Sequence, residues 1–178
     1  LVLNIVNHQS LIATKARRLS YAAAGRPIME FGARRAQGPD SALYGTRAAI
    51  IGGANSTSNV LAAKLFDIPV ASTMAHSWIE AFPDELTAFR KWTEQYPDNS
   101  ALLVDTYDVL NSGIPNAVTV FKELRAAGHE PVGIRIDSGD VTTLSQAART
   151  QLDAAGFPNA KITISNALDE HIITSLLH

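Results

Sequence analysis

Residues 101–137 read ALLVDTYDVLNSGIPNAVTVFKELRAAGHEPVGIRID. An apolar run, ALLVDT, leads to a helical stretch from Pro115 to Ala127 that Gly128 closes, and a second apolar run, PVGIRID, follows. Proline near a helix start and glycine just past its end are the usual asymmetry of helix termini. Strand, helix and strand at this spacing predict a parallel βαβ unit. Within the second run, the two-residue period of a strand puts Val132, Ile134 and Ile136 on one face. Gly133, Arg135 and Asp137 fall on the other. A guanidinium and a carboxylate inside an apolar run are expensive unless they pair or bind something.

The alternation extends in both directions. Val141 to Ala155 is expected as a helix closed by Gly156, KITIS (161–165) as a strand, and LDEHIITSLLH (168–178) as the start of another helix. Upstream, Ile5, Ile12, Ala16, Leu19 and Ala23 recur at helical spacing, and Gly25 with Pro27 ends that helix. A short strand is expected around PIMEFG (27–32), then helices over PDSALYGTRAAIIGG (39–53) and STSNVLAAKLF (56–66). The strand IPVAST (68–73) leads into MAHSW (74–78), and Phe82, Leu86, Phe89 and Tyr96 mark the next helix.

Such a pattern fits either a doubly wound sheet or a (β/α) barrel. The strand ends decide between them: EFGARR, STMAHS, VDTYD, IDSGD and ISNALDE each close an apolar strand with acids, histidine, arginine or hydroxyls. A barrel presents polar groups at every strand end on its catalytic face, whereas an open sheet concentrates them at a switch point. The expected fold is α/β, an incomplete TIM-like (β/α) barrel of parallel strands, only part of it in this chain, with residues 1–178 all within that one domain. The chain starts at Leu1 with no methionine, and both termini read as the middle of a helix, so a central piece of a longer polypeptide is expected.

The composition narrows the function. The chain has 178 residues, 46% hydrophobic and 18% charged, with a formal net charge of −2, which suits a globular core and gives no basic footprint for nucleic acid. With no cysteine, disulfide and thiolate chemistry are excluded. No stretch has the pattern of a signal peptide or the length of a membrane span, so a cytoplasmic protein is expected. HExxH, GxSxG and Walker patterns are absent, no close His/Asp group suggests a metal, and Gly52-Gly53 is too little to cradle phosphate.

The candidates at the strand ends each have two readings. In IDSGD, Asp137, Ser138 or Asp140 serves as the cap of the following helix, or the acids face the barrel mouth. Arg135 shares a face with Asp137, so the two can pair there, and a guanidinium suits a carboxylate or phosphate. Asp105 in VDTYD is either a turn aspartate or an inward-facing acid. Phe31 sits beside Gly32 with Arg34 and Arg35 beyond, either solvated arginines or an anion site. His76, just past a strand end with hydroxyls around it, is structural or catalytic. From the residues alone, the result is a barrel whose mouth binds an anion.

Taken in order, EFGARRAQGPDSA, GGANSTSNVLAAKLFDIPV, STMAHSWIEAFPDELTAF, LLVDTYD, GIRIDSGD and KITISNALDE resemble the nicotinate phosphoribosyltransferase family over nearly the whole chain. The resemblance implies NAD salvage: phosphoribosyl passes from phosphoribosyl pyrophosphate to the ring nitrogen of nicotinate, giving nicotinate mononucleotide and pyrophosphate. It further implies coupling to ATP, Mg²⁺ accompanying the phosphates, and a homodimer with sites across the subunit interface. On this resemblance Arg135 meets the nicotinate carboxylate, Phe31 stacks on the pyridine ring and Arg34 binds phosphate. Asp137 and Asp105, with Ser138 beside them, serve the ribose or its developing charge, and His76 is the residue that ATP phosphorylates. The N-terminal domain and later strands of that family would lie outside this chain. The related nicotinamide enzymes, whose substrate is a neutral amide, are the alternative, and so is a truncated barrel that binds without catalysing. Quinolinate phosphoribosyltransferases lack the histidine motif.

Overall fold

The structure, a computed structural model, describes residues 1–177. The chain forms two compact units, Leu1–Ser72 with the segment from Leu168 onward, and Thr73–Ala167.

The second unit holds the βαβ repeat that the sequence announces. Its strands β3 (Ala101–Leu103), β4 (Gly133–Ile136) and β5 (Lys161–Ile164) form a parallel sheet in sequence order. The register pairs Leu102 with Ile134 and Ile134 with Ile162, then Leu103 with Arg135 and Arg135 with Thr163. Helix α6 (Ile114–Ala126) connects β3 to β4, and α7 (Val141–Ala154) connects β4 to β5. Leu102, Leu103, Val104, Ile134 and Ile136 are fully buried, as expected where both faces of a parallel sheet are covered. Phe89, Phe121 and Leu152 pack against them from the helices.

Gly133 opens β4 for a steric reason. Its φ is +152°, and a Cβ there would stand 2.6 Å from the backbone nitrogen of Lys161 on the neighbouring strand. Ahead of the sheet lie α4 (His76–Glu80) and α5 (Glu85–Gln95). Trp78 of α4 meets Trp92 of α5 edge-on at 5.7 Å and Phe82 at 5.0 Å, an arrangement aromatic quadrupoles favour. Those rings seat the short helix whose first residue is His76. Buried Glu85 accepts from Ser112 Oγ at 2.8 Å and Asn116 Nδ2 at 2.9 Å, tying α5 to the π-turn Val109–Gly113 and the start of α6.

The first unit contains α1 (Val2–Ala22), β1 (Met29–Glu30), a 3-10 turn (Ala33–Arg35), α2 (Pro39–Gly52), β2 (Ser56–Thr57), α3 (Val60–Phe66) and α8 (Glu170–Leu176). Its small core joins Ala16, Ala49 and Ala54, with Ile12, Ile28 and Ile50 around them. Lys15 and Arg18 of α1 both bind Glu170 of α8. The Lys15 ammonium, with Arg18 adding to it, pulls the Glu170 carboxyl down to about 2.

The strands make two parallel sheets, β1-β2 and β3-β4-β5, the α/β class with parallel strands that was expected, and among the described residues neither sheet closes on itself. Two expectations need correction. Residues 56–66 are not one helix: Ser56 and Thr57 pair with β1, and helix begins only at Val60, where the Asn59 side chain accepts from Ala62 N–H. IPVAST contributes a single bridge, Val70 to Thr57, rather than a strand. In both places the local apolar pattern is right and the pairing partner, distant in sequence, decides the conformation.

Candidate active site

The residues singled out in the second unit converge at the C-terminal ends of its strands. Arg135 is the third residue of β4 and extends along the face it shares with Asp137. Its Nη2 lies 3.0 Å from Asp137 Oδ1. Nε donates to Ser165 Oγ at 2.9 Å and Nη1 to Thr73 Oγ1 at 2.9 Å. The Ser165 hydroxyl in turn donates to Asp137 Oδ1 at 2.5 Å. Because Ile136 pairs with Ile164, Ser165 falls beside Asp137 at the sheet edge. The Arg135 and Asp137 side chains are 12% and 14% exposed, so both charges are paired in a largely dry setting that still opens to solvent.

Asp105 is the second focus. It follows β3, and its side chain is 1% exposed. Oδ1 lies 3.1 Å from His76 Nε2. A carboxylate only accepts, so that nitrogen carries the proton. Oδ2 accepts the Asp137 backbone N–H at 2.9 Å and the Ser138 hydroxyl at 2.5 Å. One buried carboxylate therefore bridges the histidine and the loop carrying Asp137 and Ser138, with its lone pairs satisfied as burial requires. The His76 side chain, at 39% exposure, is open to an incoming reactant.

The capping reading of IDSGD holds for Asp140. Asp140 caps α7, accepting from Thr142 and Thr143 backbone N–H groups, and the Thr143 hydroxyl, together with these, holds its carboxyl below the usual range. That leaves Asp137 and Ser138 to the cluster. Burial pushes the Asp137 carboxyl up, but the Ser165 hydroxyl, the Arg135 charge and hydrogen bond and nearby His76 outweigh it, and the net shift is downward. Asp108 likewise caps the π-turn through Leu110 and Asn111 N–H groups, which separates the two acids of VDTYD into a cap and a buried bridge.

Phe31 and Arg34 lie in the first unit. Phe31 follows β1, and Arg34 is central in the 3-10 turn. A cavity of about 260 Å³ in that unit is lined by Glu30, Gly32, Arg35 and Thr46 among others. Thr73, Ser165 and Glu30 were not singled out from the sequence. Thr73 and Ser165 do lie in the polar strand ends STMAHS and ISNALDE, the one signal that points to them.

The cluster sets a guanidinium, suited to an anion, near an imidazole oriented by a buried carboxylate. The Arg135 guanidinium offers a planar, hydrogen-bonded cation, and its alignment by Ser165, Thr73 and Asp137 is set before any ligand arrives. His76 has one nitrogen held by Asp105, which orients the ring and stabilises it as positive charge develops.

The pattern that defines the nicotinate phosphoribosyltransferase (NAPRTase) family matches residues 27–178. The chain belongs to that family. It is 51% identical over 175 residues to the nicotinate phosphoribosyltransferase of Bacillus subtilis (strain 168), covering 98% of this chain and 35% of that protein. Nicotinate phosphoribosyltransferase pncB2 of Mycobacterium tuberculosis (strain ATCC 25618 / H37Rv) is 44% identical over 176 residues, covering 99% of this chain and 37% of the relative. Among solved structures, human nicotinic acid phosphoribosyltransferase superposes with a TM-score of 0.80 at 31% identity, over 96% of this chain and 45% of that one. The nicotinate-nucleotide pyrophosphorylase of Pyrococcus furiosus gives 0.81 at 29% identity, over 94% and 43%. The chain thus spans little more than a third of the curated relatives. No helix among the described residues is long and apolar enough to cross a membrane.

Proposed function

We propose that the protein to which this chain belongs transfers phosphoribosyl from phosphoribosyl pyrophosphate to the ring nitrogen of nicotinate, in NAD salvage in the cytoplasm. The new bond joins that nitrogen to the ribose C1 as pyrophosphate leaves, giving nicotinate mononucleotide. The observation that carries the reading is Arg135, a guanidinium aligned by Thr73, Ser165 and Asp137 in a family whose named relatives act on nicotinate. An anionic pyridine carboxylate is the substrate such a group suits; a neutral carboxamide gains less from it. Phe31 stacks on the pyridine ring and Arg34 takes phosphate. Asp137 and Ser138 serve the ribose hydroxyls, and Asp105, buried behind them, adds its negative charge toward the positive charge that develops on the sugar.

ATP is coupled through His76. With Nε2–H held by Asp105, Nδ1 is the nucleophile: it attacks the γ-phosphorus, ADP leaves with the bridging oxygen, and water later cleaves the phosphohistidine. Because Asp105 also holds Asp137 and Ser138, a doubly charged phosphoryl group on His76 repels a carboxylate that orders the substrate loop. That gives a physical route from ATP to the substrate site. No group of three or more acids or histidines able to hold a metal occurs among the described residues. The Mg²⁺ expected here travels with the substrate phosphates.

The three-stranded parallel sheet is one arc of an incomplete (β/α) barrel that the rest of the polypeptide extends, and the full-length enzyme is a homodimer. The test is turnover by the full-length protein with phosphoribosyl pyrophosphate and either nicotinate or nicotinamide. Nicotinate mononucleotide formation that ATP accelerates, with Arg135→Ala lowering kcat/KM for nicotinate by about a hundredfold, is the expected result. Preference for nicotinamide would overturn it.

A further inference from the structure

Glu30 has no role in the chemistry above, yet it is among the most heavily bonded carboxylates of the first unit. It ends β1, immediately before Phe31. Its Oε1 accepts the Gly32 backbone N–H at 2.5 Å, closing a loop around Phe31. Its Oε2 accepts the Thr57 hydroxyl at 2.7 Å and lies 2.9 Å from the Thr46 hydroxyl, whose proton is shared with Ala42 O at the same distance. Thr57 and Thr46 are themselves 0% and 1% exposed. Thr57 Oγ1 receives Asn59 N–H at 2.9 Å, so the carboxylate is fixed to β2, to α2 and to the cap of α3. Downstream, Arg35 N–H bonds Gly32 O at 2.9 Å and starts the turn that carries Arg34.

Gly32 shows that the carboxylate needs this room. Its φ of −77° and ψ of −11° suit any residue, so no backbone requirement explains the glycine. A Cβ there would stand 2.8 Å from Glu30 Oε1, inside contact distance. The glycine makes space for the carboxylate.

We infer that Glu30 is a positioning residue: two buried threonines anchor its carboxylate, which holds the Phe31–Arg35 turn in the shape that receives the pyridine ring and phosphate. The inference rests on the proposed roles of Phe31 and Arg34, while the hold on the turn is independent of them.

The experiment uses the full-length protein, with steady-state kinetics and amide hydrogen exchange of residues 31–35. In Glu30→Ala, exchange in that segment accelerates and KM for nicotinate rises about tenfold while kcat stays within about threefold. Glu30→Gln, whose amide oxygen still accepts from Gly32 and whose NH2 reaches the threonine oxygens, returns both to near wild type. Gly32→Ala raises KM by displacing the carboxylate, and adding it to Glu30→Ala causes little further loss, the non-additivity of a shared contact. Unchanged exchange in Glu30→Ala, or a fall in kcat at unchanged KM, would overturn the inference. If Glu30→Ala does not fold, Thr46→Val carries the same test at about a threefold rise in KM, and a wild-type KM there overturns it. If the wild-type protein forms no nicotinate mononucleotide, the functional reading fails, and the exchange rates alone decide whether Glu30 holds the turn.

Discussion

Arg135 directs its Nε, Nη1 and Nη2 to different oxygens, those of Ser165, Thr73 and Asp137. A lysine keeps the charge but none of that planar geometry, so Arg135→Lys is expected to raise the nicotinate KM about tenfold or more, measured by initial rates in the full-length enzyme. Its partner sets a pH dependence. The Asp137 carboxyl is held below its ordinary range in the folded protein. A depressed carboxyl stabilises the fold above its unfolded value, and that contribution is lost as the pH falls through the folded one. Asp137→Asn removes the ionisation, so the gap in Tm between wild type and variant is expected to narrow as pH falls from about 6 to about 3. A constant gap would show that Asp137 contributes through shape alone. At Asp105, loss of the buried acceptor in Asp105→Ala leaves two hydroxyl or amide donors and the histidine unpaired, a destabilisation of about 1–3 kcal/mol by chemical denaturation.

At the scale of elements, β4 is the piece on which the site depends. A methyl group at Gly133 would press on the Lys161 backbone and separate β4 from β5, which is the strand that delivers Ser165. Gly133→Ala is therefore expected to lower both Tm and nicotinate affinity, whereas Leu102→Ala, a cavity in the same sheet, costs about 2–5 kcal/mol. The βαβ order, the helix stops and the pairing of Arg135 with Asp137 were legible in the sequence because they depend on short-range periodicity. IDSGD was legible as holding a helix cap, but that Asp140 is the cap while Asp137 pairs with Arg135 and Ser165 needed coordinates. Ser165 and Thr73 lay in polar strand ends but were picked out only by their hydrogen bonds to Arg135, and Glu30 only by its bonds to Thr46 and Thr57. The short pairing of Ser56-Thr57 with β1 escaped for the same reason: a two-residue strand has no period to read.

For the whole molecule, what counts is the share of the family's length that this chain supplies, about 35% of the Bacillus subtilis relative. Assayed alone, the 178-residue chain is expected to show no detectable phosphoribosyl transfer. Val2, Leu3, Ile5 and Val6 are each at least half exposed on α1, an apolar row of the kind that drives association. The isolated chain is thus expected to self-associate as its concentration rises, which light scattering would detect; a monomer at every concentration would contradict that. The full-length protein tests whether ATP acts through His76 beside an anion-binding Arg135. Incubated with γ-labelled ATP, it should acquire label that is acid-labile and base-stable, and His76→Ala should abolish that label. Equal labelling of wild type and His76→Ala would contradict the account.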